Sequence, residues 1–424
     1  MENISYFCIV KMIKIFRTLI LIVILSLNVN NIQATKSVKN GNGRFDSIQV
    51  SLLTCTPHDE IYSLYGHTAI RYQDKADGID VAINYGVFSF SKPHFILRFV
   101  FGLTDYTMGI QNFEDFCAEY KHYGSGVTEQ VLNLSPDEKL ALYEALQKNS
   151  LPENSVYRYN YFYNNCTTKA RDIILNNIKG EIIYKRQIDE NVSFRDMIHQ
   201  CTKNHLWARF GNDLLLGIKA DAKTSRKDQQ FLPENLMKDF STAVIDRGYI
   251  KEPLVKETHQ IVEPNITNEE DNGFYITPQM CGICLFLLTF VISFIEALTR
   301  KVFWHYDAIL LSFCGIAGLI LLAMVFSQHP TVNLNLQILI LNPLFLYAAY
   351  YIIRYRKKKI KTIRLWRLID TIVLLSALGV VLQDFADGMI FLALSLLLRG
   401  RVIIDRKGEY PIYFHKKTIK NNEK

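Results

Sequence analysis

From Ala308 to Ile353 the chain contains no Asp, Glu, Lys or Arg, and from Asn272 to Ile295 it contains none either. About one residue in four of an ordinary soluble domain is charged, so two such stretches in 424 residues exclude a wholly water-soluble protein. Disorder is excluded as well, because 12% aromatic residues and a net charge of only +7 leave ample apolar surface to bury. Nucleic-acid binding explains the basic excess poorly. The densest basic run, Arg354 to Arg367, lies between apolar segments, where membrane topology already accounts for it. The eight cysteines show neither metal-ligand nor disulfide spacing.

Hydropathy predicts five spans: Phe274 to Leu298, Ala308 to Phe326, Leu336 to Ile353, Leu368 to Leu382 and Met389 to Leu398. If the preceding part of the chain faces outward, the first, third and fifth spans must end in cytoplasmic loops rich in Lys and Arg. Arg300 and Lys301 follow the first, the Arg354–Arg367 run follows the third, and Arg399, Arg401, Arg406 and Lys407 follow the fifth. The opposite loops, Ser327 to Asn335 and Gln383 to Gly388, carry no Lys or Arg. One topology therefore satisfies every end. The last two spans are short of the ~20 residues a bilayer needs, and Asp370 lies within the fourth.

Residues 1–34 carry Lys11, Lys14 and Arg17, then an uncharged run from Thr18 to Val29, then a polar end at Ala34: a signal peptide, or an uncleaved N-terminal anchor. Residues 36–250 read as a globular domain, 251–273 as a linker, 274–404 as the transmembrane domain and 405–424 as a cytoplasmic tail. Within the globular part, alternation predicts strands at Ser47 to Thr54, His67 to Tyr72 and Val81 to Phe90, with Asp77 and Gly78 turning the chain. Ser135, Pro136 and Glu138 form the start signal of a helix running to about Asn149, and a second helix follows Cys166. Phe194 to Gln200 and Phe231 to Phe240 look helical, and Trp207 to Gly217 is apolar. The linker rests on Lys251 to Asn272, which is polar, aperiodic and contains Pro253 and Pro264.

Two segments of the globular part carry chemistry. Leu64-Tyr65-Gly66-His67-Thr68-Ala69-Ile70-Arg71 puts a histidine at a strand start, with His67, Ala69 and Arg71 on one face. Tyr161-Phe162-Tyr163-Asn164-Asn165-Cys166-Thr167-Thr168 puts a cysteine at a helix start. There, unpaired backbone N–H groups and the helix dipole favour a thiolate, and the same groups can receive an oxyanion. A histidine within reach would accept and return the thiol proton. Spacing alone leaves the bland alternative open, a small buried cysteine and a strand-edge histidine. Cys8 lies in the leader, Cys281, Cys284 and Cys314 lie in spans, and Cys55 with Cys117 or Cys201 could pair in an oxidising compartment.

The segments GHTAIR, INYGVFSF, EQVLNLSPDEK, PENSVYRYNYFYNNCTTKARDII and FLPENL together resemble the periplasmic domain of the Lnb-type lipoprotein N-acyltransferases of diderm bacteria, over most of residues 48–240. His329-Pro330 and Asn342-Pro343 resemble that family's outward loop and third span. Asn164 and Lys169 depart from the family, which commonly has an acidic residue and Arg there. The resemblance implies an α+β fold: a permuted papain-like (lecithin-retinol acyltransferase-like) domain followed by an all-α bundle of about five transmembrane helices. It implies Cys166 as nucleophile and His67 as base. The group orienting the imidazole would come from the next strand, which offers Asp80 and Asn84; Asn84 lies in the part that matches, although it could also be a strand-end residue bonded to its own backbone. Tyr163 and Asn165 are candidates for shaping the oxyanion site, and Asn165 could instead cap the helix. His329 would sit at the outer membrane surface, facing a headgroup, facing the globular domain, or idle.

The function so implied is transfer of an acyl chain, through a Cys thioester, from a phospholipid or diacylglyceryl donor to the α-amine of a lipoprotein's N-terminal cysteine. The protein would be a multi-pass protein of the bacterial inner membrane with its soluble domain in the periplasm. Its partners would be the membrane, the acyl donor and the lipoprotein N-terminus, with no nucleic acid. No metal or nucleotide motif is present and no cofactor is expected. The rival readings are a cell-wall cysteine amidase or peptidase, and a non-catalytic membrane sensor or assembly protein.

Overall fold

The computed structural model describes residues 45–406, apart from 59, 61–62, 88–92, 95–96, 99–100, 266–275 and 356–361. The predicted leader, the end of the predicted linker and the tail beyond 406 lie outside the described residues. The chain divides into Met1–Asp46 and Ser47–Lys424, and among the described residues every strand and every α-helix belongs to the second of these.

Its first part is built on β1 (Ile48–Cys55), β2 (His67–Asp74), β3 (Ile79–Val87), β4 (Asp105–Asn112), β5 (Val127–Leu132), β6 (Val156–Arg158), β7 (Glu181–Ile183), β8 (Val244–Asp246), β9 (Lys251–Pro253) and β10 (Val255–Val262). Among the described residues, seven of these form a sheet in the order β10-β5-β1-β2-β3-β4-β6, every pair antiparallel, and β7-β8-β9 form a small second sheet. Among the described residues the helices of eight residues or more in this part are α1 (Phe113–His122), α2 (Pro136–Ser150), α3 (Cys166–Leu175), α4 (Phe194–Cys201), α5 (Leu206–Leu215) and α6 (Pro233–Thr242). On one face of the large sheet, Leu53, Ala69 and Ala82 pack under Phe113 and Phe116 of α1. On the other, Thr68 donates to Thr167 of α3 and Gln130 donates to the Met237 carbonyl of α6.

The predicted linker is corrected by this arrangement. Lys251–Pro253 is β9, and Val255–Val262 is β10, an edge strand bonded to β5. Its side chains are almost all exposed, so the polar run has no buried face to impose an alternation. The sheet is therefore completed only by residues that come after every helix of the soluble part.

The second part is helical: α7 (Pro278–Thr299), α8 (Trp304–Val325), a 3₁₀ turn at Leu336–Leu339 leading to α9 (Leu344–Tyr355), α10 (Ile363–Gly379) and α11 (Met389–Asp405). Pro278–Thr299, Trp304–Val325 and Leu336–Arg354 are long and apolar enough to cross a membrane. Asn342 and Pro343 open α9, the Asn342 side chain accepting from the Leu344 amide at 3.0 Å. The fourth and fifth predicted spans are each 17-residue helices, about 25 Å long, and each takes in charges that hydropathy places outside. Arg399 in particular is not a loop residue: it is fully buried in α11, with Glu296 of α7 at 2.7 Å and Asp307 of α8 at 2.6 Å. The charge is internal because its partners come from two neighbouring helices, a pairing no hydropathy window detects.

Three buried amides join the two parts. Asn335 donates to the Leu214 carbonyl at 2.8 Å, Gln337 to the Asp213 carbonyl at 2.7 Å and Gln383 to the Leu216 carbonyl at 3.1 Å. Gly217 follows α5 because a Cβ there would collide with the Leu334 carbonyl oxygen. The end of α5 is thereby seated on the loops at one end of the helical bundle.

Candidate functional site

His67 is the first residue of β2. Gly66 before it has φ +75, and an added Cβ would lie 2.6 Å from the Cys55 carbonyl oxygen, so only glycine delivers the histidine at this strand end. Cys166 is the first residue of α3, whose start is fixed by a reciprocal cap: Thr168 N–H donates to Asn165 Oδ1 and Asn165 N–H donates to Thr168 Oγ1, both at 2.9 Å. The Thr68–Thr167 hydrogen bond, 3.1 Å, ties this helix start to the strand start. The fold thus brings together two side chains 99 positions apart in the sequence.

The two groups are half-buried and close enough for each to shift the other's titration. Burial pushes the Cys166 thiol up, but the His67 charge, the His67 hydrogen bond, the Thr68 backbone amide and the Thr167 hydroxyl outweigh it and hold the thiol at about 7. Burial pushes His67 down, and Cys166, Asn84 and Glu119 together raise it above the ordinary histidine value. Both shifts favour a thiolate–imidazolium pair. His67 Nε2 lies 3.0 Å from Asn84 Oδ1, which leaves Nδ1 as the ring nitrogen for the thiol. Asp80, the other candidate on that strand, is bonded instead to Arg71 at 2.6 Å and to Gln73 at 2.9 Å.

Of the remaining candidates, Asn165 lines the same cavity as Cys166 and His67 while Tyr163 and His329 do not. Asn165 uses its amide fully, its Nδ2 donating to the Tyr161 carbonyl at 3.0 Å and to the Phe231 carbonyl at 2.9 Å while Oδ1 caps the helix. It therefore has no donor left for an oxyanion. Tyr163 is 43% exposed, packs edge-on against Phe194 and does not line the cavity. His329 stands in a loop that docks on the soluble part: the neighbouring Gln328 donates to the Phe101 carbonyl at 3.0 Å and accepts from Arg158 at 2.8 Å. His329 is not in the cavity either. Cys55, Cys117 and Cys201 are free thiols.

Cys166 and His67 open into a cavity of about 260 Å³ walled by Tyr65, Tyr85, Tyr106, Tyr120, Tyr159 and Tyr161 and closed by Phe231, Leu232 and Pro233. Sequence reasoning misses this tyrosine wall. Its members come from separate segments, and the one local signal, the alternation Tyr157, Tyr159, Tyr161, precedes a helix rather than lying in a long strand. Tyr106 and Tyr159 stack with centroids 4.0 Å apart, and Tyr65 accepts a 2.7 Å hydrogen bond from Asn212 of α5. One hydrogen bond thus connects the cavity wall to the helix seated on the bundle. The wall is apolar in its ring faces and polar at its hydroxyls, which suits a substrate with an apolar chain and a polar reacting centre.

Two family models match the chain: the Lnb N-terminal periplasmic domain over residues 34–200, and the Lnb transmembrane domain over residues 268–407. Neither the comparison with curated proteins nor that with solved structures gives a match.

Proposed function

Because the chain belongs to the Lnb family, inner-membrane proteins with a periplasmic domain and a role in lipoprotein processing, we propose that it is a lipoprotein N-acyltransferase that works through a Cys166 thioester. The soluble domain is, on this reading, a permuted papain-like domain, and all five helices of the second part belong to its membrane bundle. The observation that carries the reading is the Cys166–His67–Asn84 alignment at a helix start, with the thiol held at about 7.

In the first step, Cys166 Sγ attacks the carbonyl carbon of a lipid ester, and the C–O bond to the glycerol oxygen breaks. His67, holding the thiol's proton, gives it to that oxygen as the alcohol leaves. In the second, the α-amine of the lipoprotein's terminal cysteine attacks the thioester carbonyl. The C–S bond breaks, His67 accepts the ammonium proton, and the amide departs with the thiolate–imidazolium pair restored. Asn84 holds the imidazole in the orientation both transfers need. The aromatic wall keeps the thioester away from water, and attachment to the membrane places both lipid-borne substrates at the same surface as the thiol.

The test is the mass of a lipoprotein's N-terminal peptide from cells that lack their own N-acyltransferase and carry either this protein or its Cys166→Ala form. The expected result is one added acyl chain with the native protein only. An acyl chain with both forms overturns Cys166 as nucleophile. No acyl chain with either, both proteins being present in the membrane, turns the assignment towards cell-wall amide hydrolysis.

A further inference from the structure

His67, Asn84 and Gln111 lie on one face of three adjacent strands, each diagonal to the next. Ala69 pairs with Asn84 across β2 and β3, which puts His67 two residues along on the same face, and Ala82 pairs with Gln111 across β3 and β4, which does the same for Asn84. The side chains make a continuous chain: His67 Nε2 to Asn84 Oδ1 at 3.0 Å, Asn84 Nδ2 to Gln111 Oε1 at 3.0 Å, and Gln111 Nε2 to Glu119 Oε2 at 3.2 Å. All four line a second cavity, of about 170 Å³, at the back of the imidazole.

We propose that Glu119, acting through Gln111 and Asn84, fixes the proton of the neutral His67 ring on Nε2, so that Nδ1 is the nitrogen left to serve Cys166. The proposal deepens the acyl-transfer reading and rests on it. An ionised carboxylate accepts hydrogen bonds and cannot donate, whereas each amide can be turned either way round. With Glu119 as acceptor, Gln111 must present Nε2 to it and Oε1 to Asn84. Asn84 must then present Nδ2 to Gln111 and Oδ1 to the ring, and Oδ1 requires N–H at Nε2. Were the amides reversed, the ring would carry its proton on Nδ1, pointed at the thiol and unable to accept from it.

Competing charges do not set this polarity. Cys55, opposite His67 on β1, and Tyr120, stacked on the ring from α1, are both pushed well above their ordinary values by burial and are neutral through the working range. Arg71, Asp80 and Glu129, further along the same face, form a closed set of ion pairs. The charged groups that act on His67 are therefore Cys166 and Glu119, and Glu119 also contributes to raising it. Glu119 and Gln111 are positioning residues, since neither reaches the cavity that holds the thiol.

The test uses the full chain in detergent, with ring nitrogens of histidine labelled, and reads the His67 tautomer by nitrogen chemical shift together with the alkylation rate of the Cys166 peptide against pH. In the native protein the neutral ring is expected to carry its proton on Nε2. Glu119→Gln, which no longer imposes a direction, and Gln111→Met, which breaks the chain but keeps the carboxylate, are expected to populate both tautomers. Each should slow Cys166 alkylation at pH ~6.5 by about three- to ten-fold and leave it unchanged near pH ~10, where the thiol is ionised in any case. A purely structural role would lower the melting temperature without moving this profile. A native ring protonated on Nδ1 overturns the proposal with no variant needed, and so does an unchanged tautomer and profile in both folded variants. If Cys166→Ala keeps lipoprotein N-acylation, the acyl-transfer reading fails by a separate readout, while the tautomer measurement stands.

Discussion

At the scale of single residues, the Cys166–His67 pair makes a pH prediction whose sign follows from the two shifts. Cys166 is lowered, so its thiolate is present above about 7 and is lost as pH falls through that value. His67 is raised, so its imidazolium is present at low pH and is lost as pH rises through its elevated value. The charged pair is present where both forms coexist, and acylation of Cys166 should follow a bell-shaped profile whose limbs belong to the pair jointly. Alkylation of the Cys166 peptide should rise with an apparent value of about 7 in the native protein and move towards the ordinary thiol value of 9.0 in His67→Ala. An unshifted profile in that variant would mean that the helix start and the Thr68 amide, not the histidine, activate the thiol. At this scale the cysteine at a helix start and the histidine at a strand start were legible in the motifs, and Asn84 was legible only as one of two carbonyl-bearing neighbours on the next strand. What separated Asn84 from Asp80 was the strand register, which gives Asp80 to Arg71 and Asn84 to His67.

At the scale of elements, the helix carrying Cys166 begins where Asn165 makes it begin. Asn165→Ala removes both the cap acceptor and the two donors that hold Tyr161 and Phe231, and it should destabilise the domain by about 1–2 kcal/mol in chemical unfolding. Asn165→Asp keeps the cap and removes only the donors. If it retains native Cys166 reactivity, the cap alone positions the thiol; if it loses reactivity as Asn165→Ala does, the anchoring of the cavity wall matters as much. Helix starts were readable because capping is local: Ser135 with Glu138 forms the predicted reciprocal cap, and α2 runs to Ser150. The strand β10 was not readable, because an edge strand whose side chains face water carries no hydrophobic period.

For the whole molecule, the buried cluster of Arg399, Glu296 and Asp307 ties α11 to α7 and α8. Ser293 adds a 3.1 Å hydrogen bond to the Arg399 guanidinium. Arg399→Leu leaves two acidic groups without their partner in an apolar bundle, and a loss of about 3–5 kcal/mol is expected as a lower melting temperature of the detergent-solubilised protein. Adding Glu296→Gln and Asp307→Asn should recover much of that loss. Failure to recover any would show that the guanidinium packs the helix ends rather than neutralising charge. The opposite end of the bundle is held differently, by Asn335, Gln337 and Gln383 donating to backbone carbonyls at the end of α5. Tyr65 and Asn212 carry that contact to the cavity wall, so a run of hydrogen bonds links the cavity to the helical bundle.

The amino-acid sequence by itself determined where the chain is apolar enough for a membrane, which way its charged loops face, where its capped helices begin, and which cysteine and histidine sit at element starts. These properties depend on composition and on neighbours a few residues away. Only the tertiary structure decided that Cys166 and His67 meet, that Gln111 and Glu119 stand behind Asn84, that six tyrosines wall the cavity, and that Arg399 lies inside the bundle. Each of these depends on strand register or helix packing between residues far apart along the chain, and no local pattern of side chains encodes that distance.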